Sequence, residues 1–289
     1  MIRRLTLLDI TFRFTNIIIN IFHYIIVYTC IMSDSEQIPV FKMIVALCRG
    51  GGIGFEGTLP WPKIERDLRF FSHMTRSDVF PYNSAVVMGR KTWESIPADY
   101  QPLPFRDNIV VSATHDFDTE EHKPGVIFVK TLSDVHKFAM NYDVVWFIGG
   151  ASIYEQVLTP CSTTGSGSGG SGGGMLFPIE DIYVTFVDET YEHDAAFPLT
   201  YQYDSVEEWQ SLRCREIHHR AIWCWTDEKS MPSFVSFFAE GPVSKHLYCV
   251  KHVDEEIISK ITRPVDILAI KERRSPNTLF YVLQRVVEV

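Results

Sequence analysis

Three short β-rich runs in this chain each end in glycine and lead into a helix-patterned segment. Ser84–Met88 runs into Gly89-Arg90-Lys91-Thr92, and Val144–Ile148 into Gly149-Gly150-Ala151-Ser152. Lys42–Cys48 runs into Gly50-Gly51-Gly52-Ile53-Gly54 and reaches a helical pattern only after Leu59-Pro60-Trp61-Pro62. Apolar runs without polar alternation belong to strands buried on both faces. Asn108–Ser112, Val126–Val129 and Ile182–Val187 repeat that signature, while Ile64–Met74, Leu132–Met140 and Ala151–Leu158 carry apolar residues at helical spacing. The alternation predicts an α/β fold with a central, mostly parallel sheet flanked by helices.

The 289 residues, 46% hydrophobic, suffice for one domain with additions or for two small ones. A formal charge of −9 argues against a nucleic-acid binder, which presents a basic surface. The six cysteines form no C-x-x-C pair, so they are expected as reduced thiols rather than as a disulfide framework or zinc site, and no metal is expected. Before Phe41, three arginines precede an apolar run, Ile17 to Ile31, that is short for a bilayer span. Residues 1–41 are read as an upstream extension with Met32 as the natural start, or as a removable presequence. The corresponding location is the cytoplasm, or the mitochondrion if residues 1–31 act as a presequence, with no stable membrane insertion.

Residues 164–174 are glycine and serine after Thr164 and cannot build a core, so they read as a flexible linker, designed or natural, on a surface connection. The core is expected to continue across it, giving one domain over 42–289. Arg220–Asn277 is too long for a loop and too apolar for a disordered tether. It reads as a packed insertion with a helix near Val253–Ile261, lying at the sheet edge and offering a candidate partner surface.

Four positions stand out chemically. Asp67 shares a helical face with Ile64, Phe70 and Phe71. An acid held among apolar groups has a raised pKa and suits proton transfer near neutrality, although composition alone favours a solvated acid paired with Arg66 or Arg69. Gly89-Arg90-Lys91-Thr92 sets two cations at a helix start, as an anion site or a solvated basic turn. Gly149-Gly150 lets a backbone approach a pyrophosphate, or simply makes a tight turn. Arg106, in QPLPFRDNIVV, suits a carboxylate or pairs at the surface with Asp107. The Gly50–Gly54 loop does not place G-x-G-x-x-G at a strand–helix junction, which rules out a Rossmann fingerprint.

GGGIGFEGTLPWPKIERDLRFF, MGRKTWESIP and IGGASIY, in this order and at these spacings, closely resemble the dihydrofolate reductase family. The resemblance covers about Lys42–Ile217 and Thr278–Val287. It implies an antiparallel C-terminal strand, with Trp209–Ile217 as the strand before it. It also implies reduction of 7,8-dihydrofolate by NADPH, with Asp67 assisting protonation of N5 and Thr185 hydrogen-bonding that acid. Leu59 and Trp61 would anchor the mobile loop beside the pterin. Ile44, Val45, Leu68, Phe71, Ile96, Leu103 and Ile148 would hold the rings, and Arg106 the glutamate tail. The cofactor would lie along Ala46, Ile53, Gly54, Gly57, Thr58 and Gly89. Arg90, Lys91, Thr92, Ser112 and Lys130 would take its phosphates, with Ala113 where the family often has arginine. Gly149-Gly150, joined by an unusual cis peptide in the family, would continue the site with Ile148, Ala151, Ser152, Ile153 and Tyr154. Asp194 and Phe197-Pro198 match a family element taken as structural support. No thymidylate synthase partner domain is expected.

Two other readings of the sequence remain open. One is a reductase of the same fold acting on another heterocycle, as in riboflavin synthesis. The other is a catalytically silent binding protein using 220–277 as its contact surface. Asp67 after Leu59-Pro60-Trp61 and Arg106 argue against the first; the intact Asp67, Arg90 and Gly149-Gly150 argue against the second.

Overall fold

The computed structural model describes residues 38–114, 124–158, 177–198, 200–203, 207, 234–237 and 247–286. The glycine-serine stretch and the strand expected at Trp209–Ile217 lie outside the described residues. Apart from Ile38, everything described falls in one compact unit, Pro39–Val289.

Strand β1 (Val40–Arg49) is the centre of the molecule. Its residues alternate between two apolar layers: Phe41, Met43, Val45 and Leu47 enter one, and Ile44 enters the other. That is the period-two geometry of a strand covered on both faces. β1 lies parallel to β6 (Val144–Gly149) on one side and β7 (Ile179–Thr190) on the other, with Ala46 opposite Thr185. Beyond β6 come β3 (Ser84–Gly89), β4 (Asp107–Val111) and β5 (Val126–Val129), all parallel. β3 splits as β1 does, with Ala85 and Val87 in the first layer and Val86 and Met88 in the second.

On the other flank the sheet turns antiparallel. β12 (Thr278–Arg285) pairs with β7, and β11 (Leu247–His252) with β12. Then come β10 (Phe234–Phe237) and β9 (Thr200–Tyr203), completing ten described strands in one sheet. The strand beside β12 is therefore drawn from within Arg220–Asn277. That stretch supplies sheet as well as helix, because an edge left beside β12 would expose unpaired backbone groups.

Helix α1 (Glu65–Thr75) covers the second layer with Phe70, which is fully buried and lies with its ring tilted 4.6 Å from that of Phe280. α2 (Arg90–Ser95) follows β3 directly, and α4 (Ala151–Leu158) follows β6. Between β5 and β6 the expected single helix over Leu132–Met140 is a 3-10 turn, Leu132–Val135, then α3 (His136–Ala139). A Thr131–Asp134 capping box tightens that first turn. The final two helices, α5 (Glu255–Ile261) and α6 (Pro264–Lys271), connect β11 to β12 and lie against α1, a placement no sequence pattern announces. Among the described residues no helix is long and apolar enough to cross a membrane.

Candidate active site

Ligands of open α/β sheets settle at the carboxyl ends of the strands, where helices begin. In this molecule those ends are the Gly89 terminus of β3, Val111 of β4 and Gly149 of β6, and α1 closes the opposite wall. A cleft of about 1020 Å³ lies there.

The acid is set into its wall. Asp67 is buried on α1, and the hydroxyl of Thr185 on β7 donates to its carboxylate. Burial raises its pKa to about 6, with the Thr185 hydrogen bond opposing the shift. The surface pairing with Arg66 or Arg69 is absent, since both arginines point to the far side of α1. Beside Asp67, the Tyr154 hydroxyl donates to the Ile44 carbonyl at 2.8 Å and ties α4 to β1. Burial, with the nearby Asp67 charge, holds Tyr154 well above the usual phenol range.

Ile44, Val45, Leu59, Leu68, Phe71 and Ile148 line the cleft together with Asp67 and Thr185. Four expected contributors do not. Ile96 and Leu103 are half-buried and pack against the second apolar layer, as Phe71 does. Trp61 packs with Cys48, Ile64 and Val187, its indole N–H buried without a partner among the described residues. Arg106 is buried rather than lying at the surface. It donates to Pro104 O at 2.9 Å and to the Thr75 hydroxyl, with its guanidinium 5.7 Å from the Phe71 ring. Asp107 instead accepts from the Tyr142 hydroxyl at 2.9 Å. No carboxylate pairs with Arg106 among the described residues, and burial, with help from Arg76, pulls its pKa down to about 10.

Every residue assigned to the cofactor side, from Ala46 and Ile53 to Ser112, Ala113, Lys130 and Tyr154, lies on the same cleft. Gly149 has φ +123, outside the range of side-chain-bearing residues, and the Gly149–Gly150 peptide is cis. A Cβ on Gly150 would sit 3.1 Å from the Thr92 hydroxyl, so the bare backbone keeps that corner open. Arg90 is exposed and spans one helical turn to Glu94 at 2.6 Å. The Ser112 hydroxyl is buried and has no partner among the described residues.

The glycine loop folds over one end. Its β2 (Gly52–Gly54) pairs with β8 (Ala195–Ala196), and Glu56 N donates to the Asp194 carboxylate at 2.9 Å. A Cβ on Gly52 would fall 2.4 Å from the His193 ring, so only glycine fits that approach. Asp194, read from sequence as structural support, thus also lines the cleft, with Ala195, Ser95, Val111, Thr114 and Gln156. Helical spacing carried a signal for two of these: Ser95 is four residues after Lys91, and Gln156 four after Ser152. Among the described residues no cluster of side chains could hold a metal ion.

The comparison with known proteins agrees with this geometry. A family model described as dihydrofolate reductase matches residues 40–165. The chain is similar to dihydrofolate reductase of Drosophila melanogaster, 38% identical over 162 residues, covering 55% of this chain and 79% of that protein. It is 34% identical over 163 residues to the Rattus norvegicus dihydrofolate reductase, covering 54% and 76%. It is 30% identical over 165 residues to that of Aedes albopictus, covering 55% and 78%. With one cleft gathering a buried acid, a glycine-paved corner and a basic strand–helix turn, and with relatives of this similarity, the chain belongs to the dihydrofolate reductase family of oxidoreductases.

Proposed function

We propose that this protein reduces 7,8-dihydrofolate to 5,6,7,8-tetrahydrofolate with NADPH. The observation that carries the reading is Asp67. It is a buried carboxyl on a cleft wall, hydrogen-bonded by Thr185, with a pKa of about 6. A lone acid in that state can bind the amino-substituted edge of a pterin and favour a proton at N5 near neutral pH.

The residues on the other half of the cleft fit NADPH. The buried Ser112 hydroxyl lacks a partner among the described residues, and Arg90, Lys91 and Lys130 stand on the same cleft. Arg90, Lys91, Thr92, Ser112 and Lys130 would hold the adenosine phosphates, and Gly149-Gly150 the pyrophosphate. The exposed Arg90–Glu94 pair is worth little and is easily exchanged for a phosphate. When bound, NADPH supplies the hydride that C6 of the pterin receives, leaving NADP+, while N5 gains a proton from solvent.

The protein's own work is alignment and water exclusion. Phe71, Leu68 and Ile44 sandwich the planar rings. Asp67 orients them and polarises the ring system toward N5 protonation, and the Gly50–Thr58 loop covers the reacting edge. Arg106 does not line the cleft itself, but its guanidinium, with no carboxylate partner among the described residues, lies 5.7 Å from the ring of the cleft residue Phe71 and would take the tail carboxylate of a substrate that extends past that ring. A reductase of a tail-less heterocycle would have no use for that cation. The test follows NADPH oxidation with and without dihydrofolate. Turnover only with dihydrofolate is expected, and none under any substrate concentration would overturn the reading.

A further inference from the structure

Helix α1 presents Asp67, Leu68 and Phe71 to the cleft, yet it has little local means of fixing its own orientation. Its N-cap is Ile64, which supplies no side-chain hydrogen bond. Its first turn holds Glu65 and Asp67, which suit the helix dipole, and Arg66, which opposes it, with Arg69 one turn further on. Both arginines reach the α5–α6 pair. Arg66 Nε donates to the Thr262 hydroxyl at 2.9 Å, its Nη1 to Thr278 O at 3.2 Å, and its guanidinium lies 4.6 Å from the Phe280 ring. Arg69 Nε donates to Ile261 O at 2.8 Å, and its Nη2 pairs with Asp266. Ile261 ends α5, so the guanidinium meets a carbonyl left without a helical partner. Asp266 is itself fixed, accepting from Arg263 N at 2.7 Å in the capping box of α6. Ile261 is buried in the same apolar layer as Phe70, with Ile257 and Ile258 packed against that layer.

We infer that α5–α6 is the positioning element of the substrate helix: the Arg69–Asp266 ion pair and the Arg66–Thr262 hydrogen bond set the rotation of α1, and through it the aim of Asp67 and Phe71. The inference rests on the proposed reduction of dihydrofolate at this cleft. The lever is short. Side chains stand about 5–6 Å from a helix axis, so a 10° rotation moves a carboxyl by about 1 Å. A displacement of that size is enough to change turnover about 100-fold. Arg66, Arg69, Thr262 and Asp266 are positioning residues, since none of them lines the cleft.

The experiment compares Asp266→Ala, Asp266→Glu and Arg69→Gln with a control, Glu256→Ala, which breaks only the exposed Glu256–Lys260 pair on α5. Arg69→Gln leaves the α6 cap in place, so it decides the matter if Asp266→Ala fails to fold. Three quantities are read: the KM for dihydrofolate, the Kd for NADPH, and the Asp67 carboxyl titration by carbon-13 NMR of the protein without ligands. Asp266→Ala and Arg69→Gln should raise the KM about 10-fold and move the Asp67 midpoint, with NADPH affinity unchanged, because a small helix rotation alters both alignment and burial. Asp266→Glu should recover most of the KM, and Glu256→Ala should match the parent. Folded variants with parental KM and Asp67 midpoint would overturn the inference, as would an equal loss of NADPH affinity or an equal effect of Glu256→Ala. A parent that does not reduce dihydrofolate, but whose Asp67 midpoint still moves in these variants, would sink the proposed reaction and leave the positioning role standing.

Discussion

The hydroxyl of Thr185, on β7, donates to the carboxylate of Asp67, on α1, and both residues are buried. This contact joins the helix wall of the cleft to the sheet. It also tempers the acid, because burial pushes the Asp67 pKa up and the donated hydrogen bond draws it back.

Asp67→Asn should nearly abolish dihydrofolate reduction at neutral pH while NADPH still binds. It should also stabilise the fold. The folded pKa, about 6, lies above the unfolded 3.8. Between these values the folded state holds the extra proton, so stability is full below about pH 4 and falls as pH rises through about 6. The shift corresponds to about 3 kcal/mol at most. Asparagine does not ionise and escapes that loss. Urea unfolding should show the variant ahead of the parent at pH 7 and near parity at pH 4; parity at both would refute the burial of a titrating acid.

Thr185→Val should raise the Asp67 pKa further, since only the opposing hydrogen bond is lost. Loss of one charged hydrogen bond is worth about 1.5–3 kcal/mol. The KM for dihydrofolate should therefore rise about 10-fold or more. The descending limb of the pH–rate profile should move to higher pH, and a profile that does not move would separate Thr185 from the acid.

Arg106→Leu should discriminate between substrates. The guanidinium is buried, and its loss should weaken a substrate carrying a glutamate tail by about 2–5 kcal/mol, the cost of parting a buried charge from its partner. A dihydropterin lacking the tail should bind as before. Stability should stay near the parent's, because relief of the buried charge's desolvation offsets the lost hydrogen bonds to Pro104 O and the Thr75 hydroxyl. Equal weakening of both substrates would show that Arg106 acts only through packing on Phe71.

Arg90→Ala should raise the KM for NADPH about 10- to 100-fold and that for NADH little, because one charge-assisted phosphate contact contributes about 1.5–3 kcal/mol. The Glu94 pair lost in the same variant is exposed and should leave the melting temperature near the parent's. Equal effects on both dinucleotides would place Arg90 away from the 2′-phosphate.

Local pattern marked the catalytic half of the fold closely. Val126–Val129 and Ala151–Leu158 fall on the observed elements residue for residue, because an apolar strand run and a helical repeat are local signals. The Gly50–Gly54 and Gly149-Gly150 loops were readable for the same reason: glycine marks a backbone that needs positive φ or a close approach. The place of Asp194 on the cleft is not legible in the sequence. Its role arises from Glu56 N, far away in sequence, which no local period encodes.

The chain order of strands, glycine turns and helices by itself determined the parallel half of the sheet, since periodicity and backbone permissiveness are properties of neighbouring residues; the acid was singled out by the family resemblance, because the local pattern around Asp67 suits a solvated aspartate equally well. Only tertiary structure decided that Arg106 is buried with no carboxylate partner among the described residues, that Trp61, Ile96 and Leu103 pack in the apolar layers, that β11 extends the sheet beside β12, and that α5 and α6 grip α1. Those outcomes depend on which surfaces meet across long sequence separations. Desolvation and guanidinium geometry act there, and a single sequence does not write them down.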